Sequence, residues 1–288
     1  MDLSRRRALT TALSALVAGR ARAAQAPLEA QGGQYSSFDG AQLFYRRMGS
    51  GPPVLLLHGF LSDGPKSWFN TGIAQTLAQA GFSVVAPDLR GLGLSSSPPG
   101  PYPKDVMALD VEALIHVLRL KSYRVLGYAM GSRIAMRLMA RGARPERCVL
   151  GGTGIDGALD VERLAANNIE TIRTGRNVRD PRLGVRVTSA IRLQKLNPDS
   201  LIALLRSQVP TTRAELAQIR SPILVLDGDK DSFEGSGAEL ASQLADAALM
   251  HVPGDHLEAL RDPRFAQMAA AFLKSKDPPT RFVAAAAL

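Results

Sequence analysis

Cysteine is nearly absent from this 288-residue chain, and Cys148 alone cannot form an intramolecular disulfide. Beginning an apolar segment, it reads as a small core residue. No internal run approaches the roughly 18 apolar residues that span a bilayer, so no stable membrane anchor is expected. Histidine is scarce, with four in all. No metal-ligand spacing occurs, and Gly91-x-Gly93 lacks the third glycine and the acidic partner of a dinucleotide fingerprint. No cofactor or metal is therefore expected. The sequence has no internal repeats.

What is present suits a globular protein. The composition is 45% hydrophobic and 21% charged, enough for a sizeable core in one large α/β domain with an insertion. The first residues differ in kind. Ser4-Arg5-Arg6-Arg7 precedes a short apolar stretch to Gly19 and then Ala21-Arg22-Ala23, the layout of an export signal with a small-x-small cleavage site. The paired arginines resemble a twin-arginine leader, implying a periplasmic or secreted protein. Residues 1–23 hold five arginines and one aspartate, a net of +4, so of the formal +9 only +5 remains in the mature chain. That small excess argues against a nucleic-acid partner. A small-molecule substrate or ligand is expected, and oligomeric state is open.

The rest alternates strand and helix. Gln34 to Phe38 and Ala41 to Arg47 read as strands joined by the turn Asp39-Gly40. Buried strands follow at Pro53–Leu57, Phe82–Pro87, Tyr123–Tyr128, Arg147–Gly152, Pro222–Leu226 and Ala248–Val252. Helices are predicted over Trp68–Ala80, Lys104–Leu120, Met130–Ala140, Ala238–Leu244 and Leu257–Leu273. Such alternation with short connections predicts a parallel sheet covered by helices on both faces. The pattern pauses from 155 to 220, a segment that contains helix-like stretches (Val161–Arg173, Val187–Gln194, Ser200–Ser207) and carries 11 Lys/Arg against 7 Asp/Glu in all. The domain reading is a signal peptide at 1–23, a core at 24–154 and 221–276, a helical cap at 155–220 and a flexible tail at 277–288.

Three motifs arrive in order: Leu55-Leu56-Leu57-His58-Gly59-Phe60, Asp88-x-Arg90-Gly91-x-Gly93-x-Ser95 and Gly127-x-Ala129-x-Gly131. Together they resemble the α/β-hydrolase superfamily in its capped, single-domain branch of esterases, lipases and epoxide hydrolases. The fold implied is a mostly parallel eight-stranded sheet flanked by helices, with a helical cap insertion. The resemblance implies a nucleophile, then an acid at Asp231 in Gly228-Asp229-Lys230-Asp231, then a base at His256 after Val252-Pro253-Gly254-Asp255. A carboxylate beside His256 would fix its tautomer and stabilise its charged form. Asp227 and Asp229 are close enough in sequence to compete as the acid, with loop capping as their plainer role. The oxyanion hole would be the backbone N–H groups of Phe60 and Met130. Asp88 and Arg90 read as loop braces, His58 as a backbone-bonded residue beneath the site, and His116 and His251 as structural. Trp68 and Tyr128, with Phe60 and Met130, suggest an apolar, partly aromatic pocket. The arginines at 173, 176, 179 and 182 read as solvated helix faces, though a basic cap could also attract an anion.

The departure is at the nucleophile position, where Ala129 carries a methyl group. Glycines at 127 and 131 relieve crowding in the elbow, so the fold survives while an acyl-enzyme does not form. Ser132 lies nearly one helical turn further on, expected to be buried and remote. Several readings stay open: hydrolysis through a His256-activated water or proton abstraction by His256 without hydrolysis, a non-catalytic ligand-binding protein, or a serine hydrolase altered from serine to alanine at 129, by engineering or otherwise.

Overall fold

The computed structural model describes residues 29–177 and 181–279. The export signal, Arg179, the side chain of Arg182 and most of the tail lie outside the described residues.

Eight strands form one sheet in the order β1-β2-β4-β3-β5-β6-β7-β8: β1 Gln31–Ser36, β2 Gln42–Met48, β3 Pro53–Leu57, β4 Ser83–Pro87, β5 Arg124–Tyr128, β6 Cys148–Gly151, β7 Ile223–Gly228 and β8 Ala247–Val252. β1 pairs antiparallel with β2, and β2 with β4; every other pairing is parallel. The chain has the α/β-hydrolase fold.

Strand periodicity divides the core in two. Leu55, Leu57, Val125, Ile223 and Val225 face one layer, and Val54, Leu56, Leu126, Leu224 and Leu226 face the other. The first layer receives α2 (Val106–Val117) and α3 (Met130–Ala140) through Val111, Leu114, Ile134 and Leu138. The second receives α1 (Ile73–Gln79) and α10 (Pro263–Lys274) through Ile73, Leu77, Phe265 and Phe272. Apolar runs on both faces are what a strand sandwiched between two helical layers requires. Each such leucine contributes about 1.5–3 kcal/mol by leaving water.

Two of the predicted helices are interrupted. The span Trp68–Ala80 is a helical turn at Pro65–Phe69 followed by α1, because Gly72 takes a left-handed φ of 80° between them. The span Leu257–Leu273 is a single turn at Ala259–Arg261 followed by α10, whose start is set by Asp262: its carboxylate accepts the Arg264 N–H at 2.9 Å, ahead of Pro263 in the first turn.

Among the described residues between β6 and β7 the chain makes five helices: α4 Ile155–Leu159, α5 Val161–Thr174, α6 Pro181–Leu193, α7 Pro198–Arg206 and α8 Arg213–Gln218, with α9 (Gly237–Gln243) after β7. The sequence pattern missed α4 and α8, each too short for a periodic signal; α8 instead carries a capping box between Thr212 and Glu215. Just past α6, Gln194 tethers this segment to the core. Its amide nitrogen donates to the Leu61 carbonyl at 3.1 Å, and its oxygen accepts from Lys66 Nζ at 2.9 Å.

Candidate active site

The site is organised by the turn between β5 and α3. Ala129 sits there at φ 50°, ψ −117°, a backbone region that costs a residue with a side chain about 1–3 kcal/mol. Its neighbours must be glycine. A Cβ on Gly127 would stand 2.5 Å from the Gly131 carbonyl oxygen, and one on Gly131 only 1.8 Å from that of Leu57. The turn thus presents the residue at 129 at the carboxyl edge of the sheet, and what it presents is a methyl group.

Above the turn lies a cavity of about 570 Å³, lined by Phe60, Tyr128, Ala129, Met130, Asp231 and His256 among others. Met130 opens α3, where backbone N–H groups of the first turn have no intrahelical acceptor. Both predicted oxyanion-hole positions therefore meet the same cavity as the methyl group.

His256 and Asp231 come together as the sequence predicts. Asp231 follows β7, with its carboxylate nearly buried, and His256 follows β8; His256 Nδ1 lies 2.9 Å from Asp231 Oδ2. With Nδ1–H donating to that carboxylate, the neutral ring keeps its lone pair on Nε2. The second oxygen, Oδ1, accepts the Phe233 N–H at 3.0 Å, which fixes the carboxylate. The ring is held from both sides: the Phe233 ring centroid is 4.8 Å away and that of Tyr128 is 5.4 Å. The Tyr128 hydroxyl also donates to the His256 carbonyl at 2.6 Å. Burial by itself pulls the imidazolium pKa down; the Asp231 hydrogen bond and charge, with Glu234 behind them, outweigh it and leave His256 above the ordinary value of 6.5.

The competing aspartates have other work. Asp229 accepts the Gly254 N–H at 2.8 Å, and Asp227 that of Thr153 at 3.2 Å. Burial, reinforced by the charge of Asp231, pushes Asp227 up to about 7. Asp88 braces loops by accepting from Gly64 N–H (2.8 Å), Leu94 N–H (2.9 Å) and Arg46 (2.9 Å). Arg90 is clamped between Asp39 and Asp110. Ser132 is fully buried and its hydroxyl donates to the Gly151 carbonyl at 2.8 Å, away from the cavity. His116 and His251 are exposed. Cys148 is buried in the core, and burial pushes its thiol pKa up.

One pocket expectation needs correction and another is incomplete. Trp68 does not line the cavity: it is fully buried in the second core layer beside Ile73 and Leu77, because the helical turn that carries it points the indole inward. The apolar, partly aromatic lining is there in Phe60, Tyr128, Met130, Leu164 and Val187, but the cavity carries charge as well. Arg133, Arg186, Lys230, Glu234 and Arg261 line it, none of which the sequence singled out. Arg133 carried a usable signal, since four residues past Ala129 places it on the same helix face. The others arrive by tertiary folding; Arg186 and Asn168 come from α6 and α5. Among the described residues, no group of three or more metal-ligating side chains gathers.

Comparison with known proteins agrees with this architecture. The profile of a family described as alpha/beta hydrolase fold matches residues 52–159. An AB hydrolase superfamily protein of Bacillus subtilis, YisY, is 36% identical over 110 residues, covering 38% of this chain and 40% of that protein. A soluble epoxide hydrolase of Corynebacterium sp. is 39% identical over 98 residues, covering 34% of this chain and 32% of that one. These matches span less than half the length of either relative. A solved hydrolase structure from Pseudomonas aeruginosa superposes with a TM-score of 0.71 at 26% identity, covering 85% of this chain and 99% of the other. From the glycine-locked elbow to a superposition over 85% of its length, the chain has the α/β-hydrolase fold, and its residues 52–159 match that family.

Proposed function

We propose that this protein is an exported enzyme that uses His256 as a general base on a small carbonyl or ester-type substrate, without a covalent enzyme intermediate. The observation that carries this reading is the methyl group of Ala129 at the tip of an elbow whose acid, base and backbone donors are all retained. In the hydrolytic route, His256 Nε2 takes a proton from water as its oxygen adds to the carbonyl carbon. The Phe60 and Met130 N–H groups hold the resulting oxyanion. Collapse then expels the leaving group, which receives the proton back from His256. In the non-hydrolytic route the same nitrogen takes an acidic proton from the substrate, and the same N–H pair holds the enolate oxygen. A positioned base is worth about 10²–10⁴ in rate, and each oxyanion donor about 10²–10³. The helical segment 155–220 serves as a cap that excludes bulk water. Export through residues 1–23 rests on Ser4-Arg5-Arg6-Arg7 and the short apolar run after it.

The test compares the parent with Ala129→Ser on one panel of short-chain esters. Slow turnover by the parent, with acyl-enzyme esterase activity added by the serine, is the expected result. Turnover by the serine variant alone would identify a conventional serine hydrolase disabled at 129. Turnover by neither, with ligands from the panel raising the melting temperature, would favour a binding protein, the second reading that the methyl group and the cavity of about 570 Å³ support.

A further inference from the structure

The charges around the cavity do not balance. Five cationic and three anionic side chains line it. Each of the three carboxylates is already engaged. Asp231 accepts from His256 and Phe233, as above. Glu234 accepts the Thr153 hydroxyl at 2.8 Å and faces Arg133 at 3.5 Å. Asp255 accepts the N–H groups of Leu257 and Glu258 at 2.8 and 3.0 Å. Of the cations, Lys66 is held by Asp63 and Gln194, and Arg133 by Glu234. Arg186, Lys230 and Arg261 form no ion pair among the described residues.

These three cations arrive from separate elements: Arg186 from α6, Lys230 from the turn after β7 and Arg261 from the turn before α10. Nothing local in the chain gathers them, and their convergence on one cavity is a tertiary feature. Arg186 is close enough to the dyad for its charge to oppose protonation of His256 and to favour ionised Asp255. The exposed arginines of α5 and its end, Arg173 and Arg176, are not part of this rim.

We propose that the rim is an anion subsite and that the substrate bears a carboxylate a few bonds from its reacting carbon. The placement of that reacting carbon at His256 rests on the general-base reading; the anion subsite does not. The planar forks of Arg186 and Arg261 suit a carboxylate, and the glycine-rich cradle that would favour a phosphate is not among the described residues of the site. Lys230 adds an undirected charge. With Arg186 and Arg261 fixing the anion, the apolar part of the ligand lies against Phe60, Leu164 and Val187.

Calorimetric titration of the full chain with succinamate and with succinamide tests this. The two ligands have nearly the same shape and differ by one charge. Succinamate should bind about fivefold more tightly at low ionic strength, and the gap should narrow as salt screens the rim. Arg186→Gln should remove most of the gap and Arg186→Gln with Arg261→Gln the remainder, while Arg173→Gln leaves it intact. Equal affinities, no binding of either ligand at millimolar concentration, or a gap that survives the double substitution would overturn the proposal. Assaying the parent on the ester panel alongside the titration separates the two readings. An inactive parent that still prefers succinamate sinks the general-base reading alone, and an active parent with no preference sinks the anion subsite alone.

Discussion

Two loops at the carboxyl edge of the sheet each carry a histidine, and the protein treats them in opposite ways. His58, after β3, is fully buried with both ring nitrogens committed to backbone: Nδ1 to the Gly59 carbonyl at 2.9 Å, and Nε2 accepting the Leu89 N–H at 3.0 Å. Burial drives its pKa down, and the ring stays neutral. His256, after β8, gives one nitrogen to Asp231, keeps the other for the cavity, and has its pKa raised against the pull of burial. The fold spends the first histidine on joining two loops. It leaves the second with an uncommitted lone pair and a charged partner, which is the arrangement a base needs.

Substituting each histidine in turn should break the comparison most sharply. His256→Ala should lower kcat/KM by about 10²–10⁴ while moving stability by less than about 1 kcal/mol, since that ring is partly exposed. His58→Ala should do the reverse. It leaves the Leu89 N–H and Gly59 C=O unpaired in a buried place and should cost about 2–4 kcal/mol in urea unfolding. A His58 variant with full stability, or a His256 variant that unfolds, would erase the distinction.

A smaller effect separates Asp231 from Asp227, four residues apart on the same strand end. Asp227 is raised from 3.8 to about 7, so its contribution to stability is full below its ordinary pKa and is lost as pH climbs through about 7. Asp227→Asn should therefore be the more stable partner at about pH 8 and gain nothing at about pH 4. The parent-minus-variant difference should change by no more than about 1.4 kcal/mol per pH unit. A flat difference across that range in denaturant titrations would remove Asp227 from the electrostatics of the site. His256 shifts stability in the same direction, so only the difference between parent and variant isolates Asp227.

The sheet was legible because its strands are apolar on both faces, a pattern that depends only on local sequence: Leu55-Leu56-Leu57 and Ile223-Leu224-Val225-Leu226 announce themselves. The elbow was legible through Gly127 and Gly131, whose missing side chains are a steric necessity. The pairing of His256 with Asp231 was legible through the chain order of a familiar fold. What escaped was of two kinds. The breaks at Gly72 and Asp262 had local signals, but these were overridden by apolar spacing that continued through them. The cationic rim had no local signal, because Arg186, Lys230 and Arg261 meet only when β7, β8 and α6 converge. Trp68 was misplaced for the same reason: which way a helical turn faces is decided by the layer it packs against.

The central claim is chemistry by His256 without a covalent intermediate at Ala129. Mass spectrometry of the parent protein during turnover of an ester tests it in one spectrum, reading product and protein together. The account predicts that product accumulates while the protein mass stays unchanged. A protein species heavier by the acyl group, or a parent that forms no product, would contradict it.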